Sequence, residues 1–374
     1  MSLIKVKSTS IDGTLGDELR PNAQPLIING DMSVAQRGTS FSPSGSSTYT
    51  VDRFKYEATS GATGDATITQ ESDAPANTNF RKSLKISPDA TETLSGGENI
   101  CFTTSLEGQD VQVLGHGTSS PPKATLSFWV KSSKTGTYCV QIKEEEVTDE
   151  SYLLFEYTIS SANTWEQKII TWTGNTAHTL DDDNAMGLRI VWSLAVGSSD
   201  HASATTSWTS ATPFKATSNQ VNFFDNTSNN WYITGVQLEV GEFTSATLPA
   251  FQHESFAENY HRCCRYFFRR GEISRLGYGV VSAHASNLAY GAQVYFPTIM
   301  RATPSQSHTD TSGFYFTGAG QNQTLVVGGT IANEGISKFG VSVGGQASGS
   351  LGIGNAYWFN TTGSPQYIQW DAEL

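Results

Sequence analysis

The sequence predicts an all-β fold: a jelly-roll β-sandwich, a short linking helix, and then a smaller C-terminal β-sandwich tip domain. Two observations carry this prediction. Short runs of alternating apolar and polar residues recur along the chain, separated by turn-forming residues, which is typical of sandwich strands. Only 16% of the 374 residues are charged and 35 are glycine, and long Leu/Ala/Glu/Lys blocks are absent. This length allows two or three domains with sizeable cores.

By pattern the chain divides into four predicted segments: an N-terminal arm (1–25), a jelly-roll domain (26–250), a linking amphipathic helix (251–271) and a β-rich tip domain (272–374). The arm is short, polar and mixed, so it either frays or docks on a partner. The jelly roll opens with a predicted short strand at 26–32. Its further strands are predicted at 66–71, 83–87, 126–131, 138–143, 153–159, 165–173, 188–194 and 231–240. This series, with long loops, is typical of a jelly roll.

The predicted closing strand, 231–240, separates the two β-rich parts of the chain together with the helix that follows it. Its residues alternate strictly between two faces. The alternation predicts that one face carries Tyr232, Thr234, Val236, Leu238 and Val240, and that the other carries Ile233, Gly235, Gln237 and Glu239. Such a period of two indicates a half-buried strand.

The stretch after this strand changes to a helical period. Ser255 and Glu258 form the ends of a capping box, which predicts a helix start. An apolar stripe then recurs at three- and four-residue steps through Phe256, Tyr260, Cys263, Cys264 and Phe267. The predicted last turns contain four arginines, at 262, 265, 269 and 270, where the helix dipole favours cations. Gly271 is a residue that commonly ends a helix.

The tip domain is predicted from short strands and a Gly-rich tract. Strands are expected at 287–296 and at the C-terminus, where Ile368, Trp370 and Ala372 alternate with polar residues. The tract 328–354 is rich in Gly and Ser, so it is expected to pack in a tight β-meander or against neighbouring copies. A homotrimer would cover such apolar surface.

The net charge, the apolar runs and the cysteine content limit which partners and compartments the chain can have. The formal net charge of −12 argues against nucleic acid as a partner. No apolar run approaches the roughly 20 residues of a membrane span, so membrane insertion is not expected, and no signal peptide is visible. The four cysteines form no CxxC motif. A reduced compartment is the simpler interpretation, with a Cys101–Cys139 bridge as the alternative.

Catalytic motifs are absent from the sequence. It has no HExxH zinc motif, no P-loop and no GxSxG elbow, and the seven histidines are widely spaced. The acidic runs at 144–146 and 181–183 are predicted to be solvated turns. The chain is therefore not expected to be an enzyme. A polysaccharide depolymerase is the alternative, and it would require two carboxylates facing each other about 5–9.5 Å apart.

Aromatic residues on predicted loops are the better functional signal. Trp208 lies in a Ser/Thr/Ala stretch, and Tyr357 and Trp358 follow the Gly-rich tract. Flat rings stack on the apolar faces of sugars while polar neighbours take the hydroxyl groups. These three residues are the predicted glycan-binding candidates. Each tryptophan has an alternative role as a plug at the end of a sandwich.

Three stretches occur together in order: LIINGDMSVAQRG (26–38) with VDRF (51–54); WYITGVQLEVG (231–241); and FQH (251–253) with NYHRCCRYF (259–267). This ordered set resembles a domain common in tailed-bacteriophage tail-fibre and tail-spike proteins. The stretches LSFWVK (126–131), WEQK (165–168) and LRI (188–190) resemble carbohydrate-binding-module jelly rolls. VYFP (294–297) with MRATP (300–304) resembles the β-rich tips of such fibres.

The resemblance implies a trimeric virion component that is assembled in the host cytoplasm, contacts other tail proteins through its N-terminal arm and binds host-surface polysaccharide. A purely structural fibre or decoration protein is the alternative. Some of the modules it resembles hold a structural Ca²⁺ through the opening Asn-Gly segment and an Asp on the last strand. Here that strand offers Gly235 and Gln237. No cofactor is therefore expected, structural Ca²⁺ is left open, and the metal site is unknown.

Overall fold

The computed structural model of the chain describes residues 24–145, 150–210, 214–271, 276–318, 321–324, 331–361 and 366–374. Most of the predicted arm, 1–23, lies outside this range. The chain forms two compact units, Met1–Phe256 with Leu374 and Ala257–Glu373, called here the first and second units. The boundary falls inside the segment predicted as a linker, because most of the helix packs with the second unit.

The first unit is a sandwich of two antiparallel sheets, as the sequence predicts. Its strands are β1 (Ser40–Phe41), β2 (Thr48–Tyr49), β3 (Phe54–Thr59), β4 (Ala66–Glu71), β5 (Ser83–Pro88), β6 (Asn99–Glu107), β7 (Lys123–Ser132), β8 (Gly136–Glu144), β9 (Ser151–Ile159), β10 (Glu166–Thr173), β11 (Met186–Val196), β12 (Thr205–Ser210) and β13 (Trp231–Val240). The six-stranded sheet has the order β1-β4-β5-β13-β7-β10, and the seven-stranded sheet has the order β12-β9-β8-β11-β6-β3-β2. Non-sequential neighbours in both sheets are typical of a jelly roll.

The core between the sheets is aromatic. Phe102 contacts Phe54, Trp192 and Trp231 at ring-centroid distances of 5.4, 6.2 and 5.9 Å, and all four side chains are fully buried. Such ring contacts add to the free energy gained by burying the rings. This core fixes the inner face of each sheet and so determines which residues of each strand point outward.

The opening segment at 26–32 forms turns, so the short strand predicted there is wrong. Asn29 has a φ of 60°, and its carbonyl accepts from the Met32 amide at 2.9 Å, which closes a turn. Its side chain bonds to backbone groups outside the segment: Nδ2 donates to the carbonyls of Val34 and Asp52, each at 2.9 Å, and Oδ1 accepts from the Val34 amide at 2.8 Å. The Gly30 carbonyl accepts from the amide of Val236 on β13 at 2.9 Å. The opening and closing segments are therefore joined at this point.

The described residues of the second unit form ten strands, and the helix that precedes them begins at the boundary between the units. These are α1 (Phe256–Cys263), β14 (Phe267–Gly271), β15 (Gly277–Ala285), β16 (Leu288–Tyr295), β17 (Ser305–His308), β18 (Phe314–Gly318), β19 (Gln321–Thr324), β20 (Ile331–Ile336), β21 (Gly340–Gln346), β22 (Ala356–Thr361) and β23 (Tyr367–Asp371). A three-stranded sheet, β14-β23-β17, and a seven-stranded sheet, β19-β18-β22-β15-β16-β21-β20, enclose one core around Trp370, Phe314 and Phe359.

The helix begins where the capping box predicts but ends much earlier than Gly271. It stops at Cys263, and Phe267–Gly271 pairs with β23 instead. Arg269 donates to Gln369 Oε1 and stacks on Tyr367, with its guanidinium 4.0 Å from the ring centroid. Pairing with a distant strand thus overrides the local helical period.

Among the described residues no helix is long and apolar enough to cross a membrane.

The predicted alternative of a Cys101–Cys139 disulfide is wrong. Both cysteines point outward from the seven-stranded sheet and pair in register with Ser193, one from each side. Two strand spacings of about 4.8 Å separate their Cα atoms, which exceeds the roughly 7 Å that a disulfide can span. Within the part of the chain that the structure describes, all four cysteines are buried and none forms a disulfide.

Candidate functional site

A β-bulge on β13 shapes the outer face of the six-stranded sheet. The register against β7 shifts between Thr234 and Gln237, and Gly235 has a φ of 60°. Such a bulge places two residues opposite one and needs glycine in the left-handed region. Trp231 and Ile233 face the core before the bulge, and after it Val236, Leu238 and Val240 do so. The strict alternation predicted for β13 is therefore wrong, since it breaks at Gly235.

Glycine at this position also lets two aromatic side chains approach the strand. A Cβ atom on Gly235 would lie 2.6 Å from Phe80 Cζ and 3.0 Å from Trp129 Cδ1. Contacts this short are repulsive, so a larger residue would displace both rings. The bulge therefore brings Trp129, which points outward from β7, beside Phe80 from the loop that precedes β5.

These rings line a cleft of about 230 Å³ on the outer face. Phe80, Phe251 and His253 form a cluster with centroid distances of 4.9 Å between the two phenyl rings, 5.3 Å from Phe80 to His253 and 4.8 Å from Phe251 to His253. Trp129 is half-buried and His253 is exposed. The remaining lining residues are Thr78, Asn79, Gln167, Gly235, Gln237, Ser245, Leu248, Pro249 and Ala250. Half-exposed rings with few polar groups are typical of small-molecule and sugar sites.

Two glutamines supply the oriented polar groups of the cleft. Gln237 Nε2 donates to Glu239 Oε1 at 2.9 Å and to the Pro249 carbonyl at 3.0 Å. Gln167 Nε2 donates to Ser127 Oγ at 3.0 Å. These bonds fix both carboxamides before a ligand arrives. Because both amide hydrogens of Gln237 are used, its remaining polar atom is a carbonyl oxygen, which accepts.

A second ring pair extends the same face beyond the cleft. Trp165 and Tyr232 lie 6.0 Å apart, and the Lys131 ammonium lies 4.1 Å from the Tyr232 centroid and 5.2 Å from that of Trp165. Asp73 accepts from Trp165 Nε1 at 3.0 Å and pairs with Lys131. Partial burial by itself raises the pKa of Asp73, but hydrogen bonds from Lys131 and Trp165 outweigh it, so this pKa lies below its usual value.

The outer face of the seven-stranded sheet is instead covered by residues 214–220, called here the covering segment. Gln141 Nε2 donates to the Phe214 carbonyl at 2.7 Å, and Ser193 Oγ donates to the Lys215 carbonyl at 2.6 Å. Ala216 packs in a small buried cluster with Cys139, Tyr152 and Leu154. The middle of this face is therefore occupied by the protein's own chain.

Trp208, a predicted glycan contact, lies on the edge strand β12. Its Nε1 donates to the Thr173 carbonyl at 2.8 Å, and its ring meets His116 edge-on at 5.2 Å. The side chain is half-buried and packs against the core of the first unit. These contacts correspond to the alternative role as a plug, and contact with sugar there stays a prediction.

A buried polar cluster lies behind Trp208 and corrects one prediction. Glu144 is fully buried at the end of β8, so it does not belong to a solvated turn. It accepts from Asn175 Nδ2 at 2.7 Å and contacts His116 Nδ1 at 2.6 Å, and its Oε2 lies 3.5 Å from His178 Nδ1. Ser151 Oγ reaches the same nitrogen of His178 at 3.1 Å. A Ser-His-acid relay uses opposite ring nitrogens, so this group is a hydrogen-bond cluster.

The two tip candidates point in opposite directions. Tyr357 is 1% exposed in the core of the second unit, and its hydroxyl accepts from the Gly352 amide at 2.9 Å. Strand β22 alternates, so Tyr357 faces inward and Trp358 faces outward. A sugar cannot reach a buried ring, and the prediction for Tyr357 is wrong. Trp358 is 56% exposed and pairs in register with Val280, which is 48% exposed.

The positions that the resemblance offers for a structural Ca²⁺ supply no carboxylate from β13 and no unengaged polar side-chain atom from Asn29. Oδ1 and Nδ2 of Asn29 are engaged with the backbone, and β13 has Gly235 and Gln237 at the positions where the resemblance would need a carboxylate. Within the described residues, no group of three or more His, Cys, Asp or Glu side chains is placed to hold a metal.

Sequence reasoning missed the cleft because its rings come from three distant stretches. The predicted strand 126–131 already placed Trp129 on the face opposite to that of its apolar neighbour Phe128. Phe80 and Phe251 lie in loops, and nothing in the sequence joins them before the fold is known. The glycine inside an otherwise regular strand was the available signal, because an isolated strand glycine indicates a bulge or a close approach.

No protein-family model matches the chain, and no curated protein matches its sequence. Among solved structures, it is similar to the enzymatically active domain of tailspike protein 4 of bacteriophage CBA120, with 15% identity over 58% of this chain and a TM-score of 0.29. The chain spans 21% of that tailspike chain.

Carbohydrate-binding modules are also similar in structure. The CBM22-2 xylan-binding domain from Paenibacillus barcinonensis is 16% identical, over 50% of this chain and 91% of that one, with a TM-score of 0.27. The family 11 carbohydrate-binding module from Clostridium thermocellum is 11% identical, over 55% of this chain and 96% of that one, with a TM-score of 0.27. The jelly-roll assignment itself rests on the strand order of the first unit.

Proposed function

We propose that the first unit binds an oligosaccharide in the ring-lined cleft without cleaving it. The observation that carries this proposal is the combination of half-exposed rings with carboxamides already fixed by hydrogen bonds. A ring such as Trp129 offers a flat apolar surface for a sugar face, while Gln167 and Gln237 meet hydroxyl groups. Because these groups are held before binding, little side-chain entropy is lost when a ligand enters.

We further propose that the chain is a tail-fibre virion protein that adheres to host-surface polysaccharide. The resemblance of 26–38, 51–54 and 231–241 to tail-fibre domains supports this proposal. In the structure these stretches meet, because Asn29 bonds to the Asp52 backbone and Gly30 bonds to Val236. Three copies in a trimer would raise avidity by about 10²–10⁴ over one site. The arm would attach the trimer to other tail proteins after assembly in the host cytoplasm.

A glycan array probed with the full-length protein tests the binding proposal. We expect Trp129→Ala to weaken binding about 30-fold or more, as for a central aromatic contact. Trp358→Ala is the matched control in the second unit, and we expect it to bind like the wild type. Circular dichroism and thermal melting of both variants confirm folding. Loss of binding in the Trp358 variant alone would move the site to the tip domain.

Two further readouts separate the competing functions. No binding to any glycan or host cell would refute the proposal and favour a purely structural fibre or decoration protein. Incubation with a bound polysaccharide is expected to release no reducing ends. Their appearance would indicate a depolymerase.

A further inference from the structure

We infer that the cleft selects uncharged sugars over acidic ones, and that Glu239 is the residue that sets this selectivity; the inference rests on the proposed glycan binding. Among the described residues that line the cleft there is no Lys, Arg, Asp or Glu, and His253 at the exposed rim is the one ionisable side chain. No cation is therefore placed in the lining to meet a sugar carboxylate.

The direction of the hydrogen bonds on β13 gives the first reason for this selectivity. Gln237 is 7% exposed and lines the cleft, and both hydrogens of its amide are committed to Glu239 and Pro249. What it presents to a ligand is a carbonyl oxygen. A sugar hydroxyl can donate to this oxygen, whereas a carboxylate has only acceptors. A bound carboxylate would lose its hydration and gain no bond from Gln237.

The charge behind Gln237 gives the second reason. Glu239 is 2% exposed, lies two residues along on the same outward side of β13, and holds the Gln237 amide at 2.9 Å. A buried charge acts over a longer reach than a solvated one, because the effective dielectric constant is lower. The Glu239 carboxylate therefore places a negative potential on the floor of the cleft. This potential stabilises hydroxyl donors there and repels anions.

The test uses an array in which each uronic-acid oligosaccharide is printed both as the free acid and as its methyl ester, next to neutral oligosaccharides. Calorimetry with the best matched pair then gives the affinity ratio. For the wild-type protein we expect the ester to bind about tenfold more tightly than the acid. For Glu239→Gln, which keeps an oxygen acceptor for Gln237 but removes the charge, we expect the ratio to fall to about twofold.

Glu242→Gln is the matched control. Glu242 follows β13, is exposed, and pairs with Lys123, so its loss should leave the ratio unchanged. The wild-type comparison needs no variant, so the selectivity is tested even if Glu239→Gln does not fold.

Each outcome bears on a different statement. Equal or tighter binding of the free acid by the wild type would overturn the selectivity while leaving glycan binding intact. An unchanged ratio in Glu239→Gln would overturn the role of Glu239. Absence of binding to every printed glycan would overturn the proposed function and this inference with it.

Discussion

The two sheets of the first unit use their outward faces in opposite ways. On the seven-stranded sheet, the chain returns across the face, and outward polar residues such as Gln141 and Ser193 bond to its backbone. On the six-stranded sheet, loops rise on either side of Trp129 and leave a cleft between them. An outward polar residue on a strand therefore has no fixed role. Its role depends on whether the chain later covers it.

The largest effect is expected from closing the cleft at its bulge. In Gly235→Ala, the new methyl group would strain a left-handed backbone and displace Phe80 and Trp129. Gly45 is the matched control, since its φ is 61° and a Cβ atom added there would have no other atom within 4 Å. We expect Gly235→Ala to lower the free energy of unfolding by about 3 kcal/mol more than Gly45→Ala. Urea denaturation measures both, and equal losses would show that the bulge does not need glycine for space.

The covered face should respond to alkaline pH through its buried thiols, and Cys101 gives the expected size of the effect. Burial raises the pKa of Cys101 to about 11 from 9.0. The unfolded chain releases this proton first, so the stabilising contribution is complete below pH 9 and is lost as the pH rises towards 11. The loss approaches roughly 3 kcal/mol. Burial also raises the pKa of Tyr138, so its contribution changes in the same direction.

Denaturation midpoints measured between pH 8 and 11 check this expectation. Cys101→Ala should remove the part of the pH dependence that is due to Cys101 and leave the part that is due to Tyr138. Titration of the native thiol near pH 9 would show that the covering segment admits solvent.

Two glutamines sharpen the contrast between the faces. Gln141 is 1% exposed and donates to a backbone carbonyl, whereas Gln167 is half-buried and lines the cleft. Gln141→Ala should cost about 2 kcal/mol of stability, because it removes a buried side chain that donates to the Phe214 carbonyl, and should not change glycan affinity. Gln167→Ala should weaken binding and leave stability nearly unchanged. Melting and calorimetry on both variants give the result, and a reversed pattern would refute the comparison.

The smallest effect concerns the ring pair beside the cleft. The Asp73 side chain is 47% exposed, so its pair with Lys131 should contribute less than about 1 kcal/mol. Because its pKa is lowered in the fold, this contribution is present above roughly pH 4 and is lost as the pH falls below that value. Asp73→Asn should remove the acid dependence, while the carboxamide oxygen of the variant still accepts from Trp165. An unchanged acid profile would show that another carboxylate causes it.

Local pattern predicted the strands well because a period of two and turn residues are short-range signals. The strand at 231–240 and the helix start at Phe256 are both found in the structure. The helix end was not predictable, because Phe267–Gly271 is decided by pairing with β23, about a hundred residues away. The same limit explains why Glu144 was misassigned, since its burial depends on His116 and Asn175 from other loops.

For the candidate site, the type of residue could be predicted from the sequence, but the residues themselves could not. Aromatic richness indicated ring contacts, yet the rings that meet in the cleft were not the ones selected. Tyr357 and Trp358 are neighbours in sequence, and only the alternation of β22 separates a core ring from an exposed one. Phe80 and Phe251 line a cleft because the bulge at Gly235 lets Phe80 and Trp129 approach β13, and Phe251 packs on Phe80.

The bulge also sets a rule for engineering this strand. Even-numbered positions Tyr232 and Thr234 face the ligand side before it, and odd-numbered positions Gln237 and Glu239 do so after it. A mutant library that randomised every second residue along β13 without changing parity at Gly235 would vary the ligand contacts at one end and the hydrophobic interior at the other.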